Sequence, residues 1–156
     1  MKKIRTGIGF DIHPLIKKRK LILGGVIIPF KLGLEGHSDG DVLTHSICDA
    51  LLGACAQRDI GYHFPSIKKY KNISSLLILK ETRKKIKKFK IINIDATIII
   101  QQPKVSLYVE EMRKKISDAL EIKLSCVSVK ATTSKHLGNI GKSKAIASIA
   151  IATVAA

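Results

Sequence analysis

Residues 91–100 read Ile-Ile-Asn-Ile-Asp-Ala-Thr-Ile-Ile-Ile, apolar almost throughout after Asp95. A run this short and this apolar reads as a strand inside a sheet, buried on both faces. Such a strand needs paired neighbours and a covering layer, and the rest of the chain supplies candidates for both. Residues 4–12 read as a first strand that Pro14 ends. The segments 21–23 and 26–28 flank Gly24-Gly25, a two-residue turn suited to a β-hairpin. Residues 126–131 form another strand. Residues 145–154 are rich in Ala, but Ile149, Ile151 and Thr153 recur at period two and favour a strand over a helix.

The cover is helical. Ser38-x-x-Asp41 is a capping box for a helix carrying Val42, Leu43, Ile47, Leu51, Leu52 and Cys55, ending before Gly61. Residues 64–72 read as loop. Ser74 or Ser75 caps a second helix that runs to Lys88. Ser106 caps a third, in which Val109, Met112, Ile116 and Leu120 recur at helical spacing. Residues 15–20 form a basic loop and residues 134–141 an irregular crossing. The order of strands, helix, helix, strand, helix, strand, strand predicts an α+β fold with helices on one face of a mixed sheet. At 156 residues, with aromatics at 4% and no Trp, this is one domain with an aliphatic core.

The three cysteines, Cys48, Cys55 and Cys126, are odd in number and form no CxxC. They read as reduced, mostly buried thiols of a cytoplasmic protein, not a disulfide frame or thiolate metal site. Met1-Lys2-Lys3 resembles a signal n-region, but no apolar stretch follows it. The apolar tail 145–156 is too short to span a bilayer. The net charge of +16 raises the question of nucleic acid. Only 5 of the 28 basic residues are Arg, and the Lys are spread from Lys2 to Lys144, as on a solvated face. No predicted strand carries an aromatic stacking strip.

Chemistry concentrates in three places. Asp11-x-His13 puts a carboxylate and an imidazole on one side of a strand. Glu35-Gly-His-Ser-Asp-Gly-Asp41 leads into a helix carrying His45. Its glycines admit an anion to backbone N–H groups, and the helix N-terminus favours phosphate. Asp41 and Asp49 lie four residues either side of His45, and either can hold its second ring nitrogen. Asp11, His13 and His45 form a two-nitrogen, one-carboxylate set suited to catalytic zinc with an open position. Lys130-Ala-Thr-Thr-Ser-Lys135 ends a strand with hydroxyls, amides and cations fit for a diphosphate. Gly138-Asn-Ile-Gly-Lys-Ser143 is not a P-loop, because position 136 is His and not Gly.

Gly9-Phe-Asp-Ile-His-Pro14, Gly36-His-Ser-Asp-Gly-Asp-Val42, Asp49-Ala-Leu-Leu-Gly53, Asp59-Ile-Gly61, Phe64-Pro65, Asp95-Ala-Thr97, Pro103-Lys104 and Val129-Lys-Ala-Thr-Thr133 occur in that order. Together they resemble the 2-C-methyl-D-erythritol 2,4-cyclodiphosphate synthase family over nearly the whole chain. The resemblance implies a ferredoxin-like subunit with a four-stranded mixed sheet plus a hairpin, assembled as a homotrimer with sites between subunits. It implies a phosphorus-oxygen lyase that converts 4-diphosphocytidyl-2-C-methyl-D-erythritol 2-phosphate to the cyclodiphosphate, releasing CMP, in the non-mevalonate isoprenoid pathway.

By the same resemblance, Asp11, His13 and His45 are the zinc ligands, with Asp49 behind them. His37 and Ser38 hold the substrate's 2-phosphate, and His37 and Thr133 are the catalytic pair. Asp59 and Gly61 contact the ribose, with Phe64 beside them. Ile100, Gln101, Gln102, Pro103, Lys104, Val105 and Ser106 of the adjacent subunit form the cytosine pocket. Thr132 and Thr133 meet the α- and β-phosphates, where magnesium or manganese is the second cation. The chain departs from the family in three places. Lys135 replaces a Glu that binds the second cation, Ser66-Ile-Lys68 replaces an acidic run, and Asn139 and Lys142 replace a Phe and an Arg near the three-fold axis. Lys135 is accordingly expected either to touch the diphosphate directly or to leave magnesium held by phosphates and water, and Lys142 is counted among the substrate-binding residues. The readings from other classes are a zinc phosphoesterase that uses water, and a basic nucleic-acid-binding module.

Overall fold

The computed structural model describes residues 3–156; Met1 and Lys2, which open the signal-like stretch, lie outside the described residues. Strand β1 (Ile4–Ile16) leads into a hairpin of β2 (Leu21–Leu23) and β3 (Val26–Ile28), then the two-residue β4 (Gly33–Leu34). Helix α1 (Val42–Ala54), the short α2 (Ile60–His63) and α3 (Ser75–Lys85) precede β5 (Lys90–Ile99). Helix α4 (Val109–Leu120) crosses to β6 (Val127–Thr132), and the short α5 (Gly138–Gly141) precedes β7 (Ala145–Ala155). The main sheet has the order β4-β1-β7-β5-β6. Only β5 and β6 pair in parallel, joined through α4; the other pairs are antiparallel. The chain is therefore α+β with a mixed sheet, as expected. The sheet has five strands and not four, because Leu34 and Gly33 pair with Leu15 and Ile16 beyond Pro14.

Pro14 does not end β1. Leu15 N donates to Lys144 O at 2.8 Å, and Pro14 O accepts from Glu35 N at 2.9 Å. The proline nitrogen therefore falls on the side away from β7, facing Glu35, so the missing donor leaves the β7 ladder intact and forfeits only the reciprocal bond to Glu35.

Helix α1 is buried on nearly every side, and its contact with the sheet is unusually close. A Cβ at Gly9 would lie 1.9 Å from Ser46 O, and one at Gly7 would lie 2.2 Å from Ala50 O. The opposing residues of β7 are Ala152 and Ala150. The polar atoms trapped at this contact pair off, with Ser46 Oγ and Ser148 Oγ 2.9 Å apart. Both ends of α1 are tied down. Arg5 Nε donates to Ala54 O. At the start, Asp41 rather than Ser38 is the N-cap. Its fully buried carboxylate accepts from Gly24 N, Gly25 N, Thr44 N and Thr44 Oγ1 at 2.7–3.0 Å. One side chain thus caps the helix and fixes the hairpin, whose Gly24 and Gly25 both have positive φ as a type I′ turn requires. Burial pushes the Asp41 carboxyl upward, with the charge of Asp39 adding and the bonds from Thr44 and Gly24 opposing.

Other boundaries shift. α3 ends at Lys85, three residues early, whereas α1 ends at Ala54, before Gly61 as expected. Neither Ser74 nor Ser106 makes a side-chain cap. Residues 134–141, expected to be irregular, contain α5. Cys48 and Cys55 are buried and Cys126 half-buried, all as free thiols.

Helices cover one face of the sheet. On the other, Ile4, Ile8, Phe10 and Ile12 of β1 are 46–65% exposed, beside Ile149 and Ile151 of β7. No helix among the described residues is long and apolar enough to cross a membrane.

The close helix contact makes a paired prediction. Gly9→Ala lowers the free energy of unfolding by about 1–3 kcal/mol, because backbone atoms of α1 must move. Gly53→Ala raises it by about 0.5–1 kcal/mol, since its Cβ meets only Ile8 O at 3.9 Å. Urea unfolding midpoints measure both, and a neutral Gly9→Ala would contradict the packing.

Candidate functional site

Asp11 and His13 leave β1 on the face that α1 covers, just past the two glycines. The helix lies so close there that His45, one turn inside α1, reaches across to the strand. His45 Nδ1 lies 3.0 Å from Asp11 Oδ2, and His13 Nε2 lies 3.1 Å from the same oxygen. One ligand atom from each of the three residues falls within 4.8 Å of the others. Two imidazole nitrogens and a carboxylate oxygen converging on one point are the donor set of a catalytic divalent-metal site. The residues fit such an ion.

The electrostatics agree. Burial raises the Asp11 carboxyl, but hydrogen bonds and charge from His13 and His45 outweigh it and bring it down to about 2. His13 is pulled above its ordinary 6.5, first by its hydrogen bond with Asp11, against burial, with the backbone of Glu35 adding to the pull.

These residues open onto a cleft of about 220 Å³ that His37, Ser38, Asp49, Gly61, Phe64 and Tyr70 also line. Among the described residues no Lys or Arg is part of its lining, although Lys85 Nζ lies 5.9 Å from the ring centroid of Phe64, which is. Phe64 is edge-on to Tyr70, with ring centroids 5.7 Å apart, and walls one side.

The expected partner of His45 is corrected. Asp49 does not hold its second nitrogen; Asp49 Oδ1 accepts from Ile60 N at 2.7 Å and orients α2. Burial pushes the Asp49 carboxyl up, and Asp59 and Asp11 add to it. Asp41, the other candidate, is consumed by the helix cap. His45 Nε2 instead meets Ser75 Oγ at 2.8 Å and Ser38 Oγ at 3.1 Å. Ser75 was visible only as a helix cap, because its contact joins residues 30 apart. Sequence reading also missed Arg19, a lone Arg among lysines. Its guanidinium donates to Gly36 O at 3.1 Å and Ser38 O at 2.7 Å, clasping the loop on either side of His37. Arg in place of Lys was the available signal, since a fork can hold two carbonyls.

Asp59 caps α2 by accepting from Tyr62 N at 2.7 Å, and Gly61 lies on the cleft wall. The remaining candidates lie elsewhere. Ile100, Gln101, Gln102, Pro103, Lys104, Val105 and Ser106 follow β5, with a cis Gln102–Pro103 bond. Thr132 ends β6, Thr133 and Lys135 follow it, and Lys142 closes α5. None of these lines the cleft of the same chain. The two loops touch each other: Ile100 N donates to Thr132 O, and His136 N donates to Gln101 Oε1. Lys135 and His136 are successive left-handed residues, with φ of 53° and 63°. Because β1, β5 and β6 run in the same direction, cleft and loops occupy the same end of the sheet. There the loops lie apart from the cleft.

The family model of the YgbB family matches residues 4–155. A 2-C-methyl-D-erythritol 2,4-cyclodiphosphate synthase of Lachnospira eligens is 54% identical, over 97% of this chain and 84% of its own length. One of Chlorobium phaeobacteroides is 49% identical, over 97% and 98%. Among solved structures, IspF of Plasmodium falciparum in complex with CDP has a TM-score of 0.86 at 38% identity, with 99% of this chain and 97% of that one covered. The bifunctional IspDF of Campylobacter jejuni has a TM-score of 0.95 at 39% identity. This chain is covered over 99% but spans only 43% of that longer protein.

A cation at the triad must displace the proton that Asp11 favours on His13. Apparent affinity for a divalent cation therefore falls as pH drops through and below His13's raised range. The loss approaches about tenfold per pH unit for each proton displaced. Chelator competition across a pH series measures it, and an affinity independent of pH would contradict the assignment.

Proposed function

The chain belongs to the YgbB family, and we propose that it converts 4-diphosphocytidyl-2-C-methyl-D-erythritol 2-phosphate to 2-C-methyl-D-erythritol 2,4-cyclodiphosphate with release of CMP. This is a step of the non-mevalonate route to isoprenoid precursors, catalysed by a phosphorus-oxygen lyase acting in the cytoplasm. The observation that carries the reading is the convergence of Asp11, His13 and His45 beside a cleft without Lys or Arg. The relatives at about half identity support the substrate.

In the reaction an oxygen of the substrate's own 2-phosphate attacks the β-phosphorus. One P–O bond forms, the P–O bond to CMP breaks, and no water is consumed. The nucleophile is already ionised, so the chain's task is to bring anions together in line and spread their charge. His37 and Ser38, on the loop Arg19 clasps, hold the 2-phosphate. A zinc ion held by Asp11, His13 and His45 would draw charge from the β-phosphate as a Lewis acid. Asp59 and Gly61 meet the ribose, and the Phe64–Tyr70 wall excludes water.

The second half-site is read as serving the neighbouring subunit of a homotrimer of ferredoxin-like subunits, each a single catalytic domain. Residues 100–106 take the cytosine, largely by main chain, and Thr132 and Thr133 take the α- and β-phosphates. Lys135 and Lys142 contribute positive charge that the cleft itself lacks. The uncovered apolar face of β1 and β7 supports assembly, since six large apolar side chains there are exposed.

The purified protein is expected to release CMP from the cytidylyl substrate, to lose activity in chelator and to regain it with zinc. His13→Ala or His45→Ala lowers kcat by on the order of 10³-fold, the several kcal/mol of charge stabilisation a bound cation supplies. An open-chain product would instead favour a phosphoesterase that uses water. Undiminished turnover in both variants would remove the metal from the mechanism. Native mass spectrometry is expected to show three chains.

A further inference from the structure

We propose that Arg19 is a positioning residue for the substrate's 2-phosphate: its guanidinium, with the backbone of Asn72, holds three successive carbonyls behind the loop 36–38 and leaves the loop's N–H groups to the cleft. The inference rests on the reading of that loop as the holder of the 2-phosphate.

The loop stands between two cavities. In front is the cleft, which His37 and Ser38 line together with the triad. Behind is a second pocket of about 270 Å³, lined by Arg19, Lys20, Ile22, Ser38, Asp39 and Asn72. Arg19 and Asn72 belong only to the pocket behind. From there Arg19 Nη1 donates to Gly36 O at 3.1 Å and Arg19 Nη2 to Ser38 O at 2.7 Å. Asn72 N donates to His37 O, between them, at 2.8 Å. Three carbonyls in a row are thus drawn away from the cleft.

A trans peptide unit is planar, so its N–H points opposite to its C=O. Fixing the carbonyls of Gly36, His37 and Ser38 behind the loop therefore turns the N–H groups of His37, Ser38 and Asp39 toward the front. Among the described residues, none of these three N–H groups donates to another protein atom. The next two are taken, Gly40 N by Ser38 Oγ and Asp41 N by Asp39 Oδ1. Successive free N–H groups in a curled segment make an anion-binding concavity. A flipped peptide would present a carbonyl oxygen instead, whose negative end repels phosphate.

Arg19 is built into its place. In the basic run Lys17-Lys18-Arg19-Lys20 only Arg19 is half-buried, and the three lysines are exposed. Its backbone is pressed against Gly33, where a Cβ would lie 2.4 Å from Arg19 O. The planar guanidinium fork holds both outer carbonyls with one rigid group, which the point charge of an ammonium does not match.

The test uses the full chain with zinc, the cytidylyl substrate, and the same compound lacking the 2-phosphate. Wild type, Arg19→Ala and Arg19→Lys are compared by kcat/KM for CMP release and by the inhibition constant of the compound without the 2-phosphate. Arg19→Ala is expected to lower kcat/KM by about 10- to 100-fold and to leave that inhibition constant unchanged. A general loosening of the site would weaken both. Dilute guanidinium chloride is expected to restore part of the lost kcat/KM in Arg19→Ala and to leave wild type unchanged, since the pocket behind the loop can take the free ion. Arg19→Lys keeps the stem and the charge, so it carries the test even where Arg19→Ala does not fold, and it is expected to fall between the other two. If wild type releases no CMP, the reading of the loop fails and this inference falls with it. If wild type is active and Arg19→Lys equals it, if both ligands weaken alike, or if guanidinium restores nothing, this inference alone is overturned.

Discussion

The site depends on how closely one helix lies on one strand. With no Cβ at Gly7 or Gly9, the backbone of α1 can press against β1, and the alanines of β7 extend the small-residue bed. A helix held further out by ordinary side chains would carry His45 away from Asp11. The tight packing therefore sets the distance between a helical imidazole and a strand carboxylate. Asp41 fixes the remaining freedom, since its four hydrogen bonds hold the rotation of α1 against the hairpin.

Electrostatics then divide the molecule. The chain carries a net charge of +16, yet among the described residues the cleft lining has acids and histidines and no Lys or Arg. A phosphate entering such a cleft needs a cation that the covalent structure of this half-site does not provide. In the proposed function that role falls to a bound metal, with the lysines of a neighbouring half-site behind it. The exposed Ile4, Ile8, Phe10 and Ile12 suit a subunit whose site is finished by assembly.

Much of this was legible in the residues because the signals are local. The Gly24-Gly25 turn, the period-two run of β7 and the helical stripe of α4 each declare themselves within a dozen positions. The Asp11-x-His13 pair was legible for the same reason, through strand alternation. What was not legible depends on distant contacts. Pro14 reads as a terminator until β4 and β7 show which side its missing donor faces. Ser38 reads as a helix cap until the hairpin turn claims Asp41 for that role. Asp49 reads as the partner of His45 until α2 takes its carboxylate and Ser75 arrives from α3. The candidate role of residues 100–106 was named only through family resemblance, since no periodicity marks a loop.

The most direct measurement is an anomalous difference map from crystals grown with zinc. The account predicts one strong peak per chain within about 2.0–2.2 Å of Asp11 Oδ, His13 Nε2 and His45 Nδ1. A map with no peak there, or with zinc bound only elsewhere, would contradict it.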